Sequence, residues 1–107
     1  MMLGNYLLST EEKEKVESSI NYLKQSIQLN SQNAYSWYLL AKAYAYLDNI
    51  SLANYATAER YFLIGEKKLS YDFALKAMAN IEKNTPEWYR AYDLTEILRK
   101  EVSTNKN

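Results

Sequence analysis

A chain of 107 residues is long enough for one domain of ordinary size. Its 13 basic and 13 acidic residues cancel, which removes any general attraction to nucleic acid or to an anionic membrane, and its apolar runs are too short to span a bilayer. With no cysteine, no histidine and only two glycines, it lacks the means for disulfides, Ser–His or Cys–His nucleophiles, ordinary zinc ligand sets and Gly-rich phosphate loops.

The start, "MMLGNYLLSTEE", has no basic n-region and only a short apolar patch, so it does not read as a signal peptide. Beyond it, Pro and Gly are scarce and apolar residues recur at helical period, which predicts an all-α fold. A first helix is expected over 11–30, opened by a capping-box pair, Ser9 and Glu12, with Val16, Ser19, Ile20, Leu23 and Ile27 on one face. Its acidic cluster, Glu11, Glu12, Glu14 and Glu17, is interleaved with Lys13 and Lys15. That pattern reads as a solvated helix face with an i,i+4 pair rather than as catalytic or metal-binding carboxylates.

"NSQN", 30–33, breaks the first helix, and a second follows over 33–47. A third is expected over 51–64, ended by Gly65 in the left-handed conformation of a C′ residue. A fourth spans 67–83, with Tyr71, Ala74, Ala77, Met78 and Ile81 on one side. Thr85 as N-cap and Pro86 at the first helical position open a fifth over 86–101. The chain from 1 to 103 reads as one domain, with 104–107 as a disordered tail. The links are short, which favours antiparallel helical hairpins.

Within the second helix, Trp37-x-x-Leu40-Ala41-x-x-Tyr44 fits the first-helix signature of a tetratricopeptide repeat, with Ala41 where Gly is usual. Ser19, Leu23 and Ser26 fit the small–large–small pattern of the helix before it, and Ser31 stands in the place of the usual Pro. Ser70, Ala74 and Ala77 repeat the small-residue face, and "NTPEWY", 84–89, echoes "QNAYSWY". Small residues let helices approach closely while large aromatics fill the space opposite, so Trp37, Tyr44 and Trp88 are expected as interhelix wedges. Tyr35, Tyr38, Lys42 and Tyr46 fall on the other side of the second helix and are the candidate partner groove, since tyrosine buries a ring while its hydroxyl stays wet. An aromatic surface with no partner, or one covered by another part of a larger protein, is the competing reading.

From about residue 15 to residue 100 the chain resembles the C-terminal tetratricopeptide region of BepA-like periplasmic zinc metalloproteases of Gram-negative bacteria. The more specific parts are Ala56, Ala58, Glu59, Gly65 and Glu66 in the third helix and its end, and Pro86, Trp88, Arg90, Ala91 and Asp93 in the fifth. The resemblance implies a stack of helix hairpins that guides a protease to outer-membrane assembly substrates and machinery. It carries over no catalytic residue, because the HExxH helix of the protease domain has no counterpart here.

Leu3-Gly4-x-x-Leu7 resembles the tail of another repeat first helix, so the chain is expected to begin inside a repeat, as an excised domain or a shortened gene product. Residues 3–8 are then expected to form a short helix whose Leu3, Leu7 and Leu8 are covered by a second copy, giving a dimer. Two function classes stay open. One is a non-catalytic module that binds a protein or extended peptide; the other is a structural packing or oligomerisation domain. Neither calls for a cofactor, a metal, nucleic acid or membrane insertion. The resemblance implies the periplasm for an exported protease, whereas this chain standing alone is expected in the cytoplasm.

Overall fold

The computed structural model describes residues 9–104. The short helix expected over 3–8, the covering of Leu3, Leu7 and Leu8 by a second copy, and residues 105–107 of the expected tail lie outside the described residues. The described residues form five helices and no strand: α1 (Thr10–Leu29), α2 (Ala34–Tyr46), α3 (Ile50–Leu63), α4 (Lys67–Asn80) and α5 (Pro86–Thr104).

Helix ends follow the capping chemistry of the sequence. Ser9 and Glu12 make the full capping box, Glu12 N–H to Ser9 Oγ at 3.1 Å and Ser9 N–H to Glu12 Oε1 at 3.0 Å. Asn33 and Asn49 accept backbone N–H groups at the starts of α2 and α3, and Thr85 Oγ1 accepts from Trp88 N–H at 3.2 Å ahead of Pro86. Gly65, at φ +84°, closes α3 in a Schellman motif: Glu66 N–H reaches Tyr61 C=O at 2.9 Å and Gly65 N–H reaches Phe62 C=O at 3.3 Å. The end of α2 repeats that motif with Asp48 at φ 63° in the glycine position, Asn49 N–H bonding Tyr44 C=O at 2.9 Å. A short polar side chain is among the few that tolerate this conformation.

Two boundaries differ from expectation by more than one residue. α4 stops at Asn80 rather than at 83 because Ile81 turns extended, at φ −80° and ψ 145°, while its side chain stays buried against Ala77 and Ala91. The apolar phase of the fourth helix therefore outlasts its backbone. α5 runs on to Thr104, past the expected 101, since Glu101, Val102 and Ser103 contain no breaker.

α3 is the central element, packed against α2, α4 and α5, while α1 packs on α2. Successive helices run antiparallel: Lys67 at the start of α4 pairs with Glu101 near the end of α5, and Ser70 in the first turn of α4 bonds Ala58 in the second half of α3. The close approaches are made by small residues, as the sequence implied. Ser70, Ala74 and Ala77 of α4, Ala56 and Ala58 of α3 and Ala91 of α5 are fully buried, with Leu94 and Leu98 filling the space they leave. Ser19, read as part of the small-residue face of α1, is exposed, whereas Ile20 and Ile27 are buried as expected.

Trp37 and Tyr44 are wedges in the first core cluster, with Ile20, Ile27, Leu40, Ala53 and Ala56. The Trp37 ring meets Tyr55 edge-on at 5.7 Å and its Nε1–H donates to Ser31 C=O at 3.1 Å. Trp88 is only half-buried, stacked on Tyr92 at 5.7 Å and edge-on to Tyr89 at 5.3 Å. Trp37→Ala is expected to cost roughly 3–5 kcal/mol, the range for emptying a large aromatic site. Tyr38→Ala and Tyr46→Ala should each cost no more than about 1 kcal/mol, as surface changes do. Thermal melts of the three variants check the order; a Tyr38→Ala collapse beside an unaffected Trp37→Ala would reverse the two faces of α2.

Candidate functional site

Three features stand out on this scaffold. The first is the outer face of α2. Its inner positions, Trp37, Leu40 and Tyr44, are buried, and the i,i+3/i+4 rows between them put Tyr35, Tyr38, Lys42 and Tyr46 together on the exposed side. Tyr35 and Tyr46 are 64 % and 66 % exposed. Tyr35 and Tyr38 stack with centroids 6.0 Å apart, and Lys42 Nζ lies 5.5 Å from the Tyr38 centroid. All four residues singled out from the sequence thus share one face. The sequence did not disclose Arg60 of α3, whose guanidinium lies 5.0 Å from the same Tyr38 ring. No spacing rule links residues on different helices, so this neighbour had no signal to find.

The second feature is a buried polar triad. Glu59 of α3 is only 5 % exposed, yet Arg90 of α5 meets it in a two-pronged pair, Nε to Oε2 at 2.8 Å and Nη2 to Oε1 at 3.1 Å. The Tyr55 hydroxyl, one turn earlier on α3, donates to Glu59 Oε2 at 3.0 Å. Hydrogen bonding to Glu59 holds the Arg90 guanidinium even more firmly protonated than usual. Burial, with the Glu59 charge close by, pushes the Tyr55 phenol well up. Burial likewise raises Tyr44, assisted by Glu87. The pair opens onto a cavity of about 380 Å³ lined also by Ser31, Gln32, Trp37, Phe62 and Leu63. Glu59 and Arg90 lie in separate motifs of the sequence; their union across 31 positions is made by the fold.

The third feature is an open apolar groove of about 530 Å³ between α1 and α2, bounded by Ser18, Ser19, Tyr22, Leu23, Leu39 and Ala43. Among the described residues no group of three or more acidic side chains is placed to hold a metal ion, and no helix is long and apolar enough to cross a membrane. The exposed carboxylates of α1 stand on the solvated face expected of them.

Neither a protein-family model, nor a curated protein, nor a solved structure matches this chain. The class it defines is therefore its own geometry: an all-α protein of antiparallel helix hairpins. Within that class it is marked by a tyrosine–cation face outside and a Glu–Arg–Tyr triad inside.

Removing Arg90 strands the buried Glu59 carboxylate. Arg90→Ala is expected to cost about 3 kcal/mol, the low end for a buried pair because the Arg90 side chain is 37 % exposed. Glu59→Leu combined with Arg90→Leu should recover most of that loss in urea titrations. Alkaline stability carries a second signature. Tyr44 and Tyr55 both titrate above the ordinary phenol value of 10.0 in the folded chain. Below that pH both states keep the proton and these groups cost nothing. Above it the unfolded chain loses protons the folded chain retains, so stability falls with rising pH until the folded phenols ionise. Tyr55→Phe should flatten that fall, read as the change in urea midpoint from pH 7 to about pH 11.

Proposed function

We propose that this chain is a non-catalytic, tetratricopeptide-type binding module that holds an extended peptide or partner protein on the outer face of α2. The observation that carries the reading is the division of α2. Trp37, Leu40 and Tyr44 secure the helix, while Tyr35, Tyr38, Lys42 and Tyr46 stay exposed on one face, with Tyr38 in contact with both Tyr35 and Lys42. Tyrosine rings fixed on a rigid helix offer broad contact area at low entropic cost. The repeat-type assignment is supported by the position of Trp37-x-x-Leu40-Ala41-x-x-Tyr44 on a hairpin helix and by the small-residue seam of Ser70, Ala74 and Ala77. A BepA-like relationship is supported by the pairing of Glu59 with Arg90, which joins the two more specific parts of the resemblance. On that relationship the module would serve a periplasmic zinc protease whose metal chemistry resides in other sequence.

A second reading, a packing domain for an attached partner, is favoured by the apolar α1–α2 groove. Chemical-shift mapping of the isotope-labelled chain against unfolded, extended peptides separates the two. Perturbations centred on Tyr35, Tyr38, Lys42 and Tyr46, weakened about tenfold in affinity by Tyr35→Ala with Tyr46→Ala, are the expected result. Shifts confined to Tyr22, Leu23, Leu39 and Ala43 would favour the packing domain.

A further inference from the structure

The ring and cation contacts of the α2 face continue onto α3 and α4 through the half-buried Arg60, Tyr61 and Phe73 to the exposed Lys76. Arg60 Cζ lies 5.0 Å from the Tyr38 centroid and 5.5 Å from that of Tyr61, its neighbour on α3. The Tyr61 ring is 5.7 Å from Phe73 on α4, and Lys76 Nζ is 4.7 Å from the Phe73 centroid. With Lys42 at the far end, a band of cation, ring, cation, ring, ring and cation crosses three helices.

Its charge is unbalanced. The ion pairs Lys67–Glu101, Lys68–Asp72, Arg90–Glu59 and Arg99–Glu96 employ other basic residues, and no carboxylate pairs with Lys42, Arg60 or Lys76 among the described residues. α2 has no acidic residue, the only one on α3 is Glu59, committed to Arg90, and Asp72 of α4 is engaged by Lys68. Contact with aromatic faces steadies a cation without neutralising it. Arg60 uses the flat face of its guanidinium on the rings and makes no side-chain hydrogen bond among the described residues, so its N–H edge is open to a carboxylate. Three like charges gathered this way on a chain of zero net charge form a local positive field.

We propose that this band is the ligand-contacting surface and that its ligand is an acidic extended peptide, with Asp or Glu side chains interspersed among apolar ones. The proposal rests on the reading of the α2 face as the binding face. Carboxylates meet Arg60 edge-on and Lys42 and Lys76 as point charges, while apolar side chains lie on the exposed ring of Tyr35. Charge complementarity selects acid. The short span of three cations and the acidic start of α1 argue against a nucleic-acid backbone, which needs a longer run of phosphate contacts.

The test uses two fluorescent peptides alternating Glu with Leu and Phe, and Gln with Leu and Phe, followed by anisotropy. The Glu peptide is expected to bind about tenfold more tightly at low salt, with the advantage shrinking as salt screens it. Lys76→Gln and Arg60→Gln should each erase most of the advantage, and Lys24→Gln on exposed α1 should leave it intact. Equal binding of both peptides, sensitive to Tyr35→Ala with Tyr46→Ala, would overturn the acidic ligand and leave the binding module standing. Binding of neither peptide overturns both. A single-stranded oligonucleotide binding more tightly than the Glu peptide, or a dimer in light scattering that Lys76→Gln dissociates, would assign the band to nucleic acid or to a second copy instead.

Discussion

The Ser70 hydroxyl reaches the Ala58 carbonyl at 2.8 Å, a side chain bonding the backbone of the neighbouring helix. Such a bond requires the two helices to lie very close, and closeness requires that nothing larger than Ala or Ser stand between them. Ala58, Ser70, Ala74 and Ala77 meet that condition, all fully buried. The rest of the architecture depends on this seam. With α4 drawn in against α3, the α5 side chains Leu94 and Leu98 fill the space beside Ala58 and Ala74, and α5 itself touches α3. A larger side chain at Ser70 would both push the helices apart and leave the Ala58 carbonyl without this donor.

That arrangement gives α3 two opposed duties one residue apart. Adjacent positions on a helix differ by about 100° in direction. Glu59 therefore turns inward to Arg90, and Arg60 turns out over Tyr38 and Tyr61. The inner pair is a registration device more than a source of stability, since desolvating a carboxylate and a guanidinium offsets much of their attraction. What the pair fixes is which part of α5 faces α3, because a slip of one turn would leave Glu59 buried without a cation. The Tyr55 hydroxyl completes the carboxylate's hydrogen bonding on the same side. By contrast, Trp88 Nε1 is buried with no hydrogen-bond partner among the described residues, and its ring is held by aromatic contacts with Tyr89 and Tyr92.

Much of this was legible in the sequence wherever the physics is local. The Ser9–Glu12 box, the Thr85–Pro86 start and the Gly65 stop act over a few residues, and each appears where the residue types required it. The inner and outer faces of α2 follow from helical period alone. Legibility fails where tertiary contacts decide. Ile81 keeps helical phase while its backbone does not, because burial against Ala91 of α5 holds its side chain from an extended residue as well as from a helical one. Asp48 and Asn84 take left-handed conformations that their types permit but do not demand. The Glu59–Arg90 pair and the contact of Arg60 with Tyr38 join residues on different helices, so no periodicity within one helix signals them.

The aromatic residues of α2 thus divide into an inner and an outer population, and within the outer one Tyr38 is held by its neighbours. Tyr38 is flanked by Tyr35, Lys42 and Arg60, which restrict its rotamers. Ordering a mobile side chain on binding costs about 0.5–1.5 kcal/mol each. A surface whose rings are already held by neighbours on two helices avoids part of that cost, and it owes this to the core. Arg60 can reach Tyr38 only while α3 stays packed against α2, which depends on Trp37 and Tyr44 filling the first cluster beside Ala53 and Ala56. Shape on the outside is therefore set by packing on the inside, and loosening the α2–α3 contact would disperse the outer face even with every one of its own residues in place.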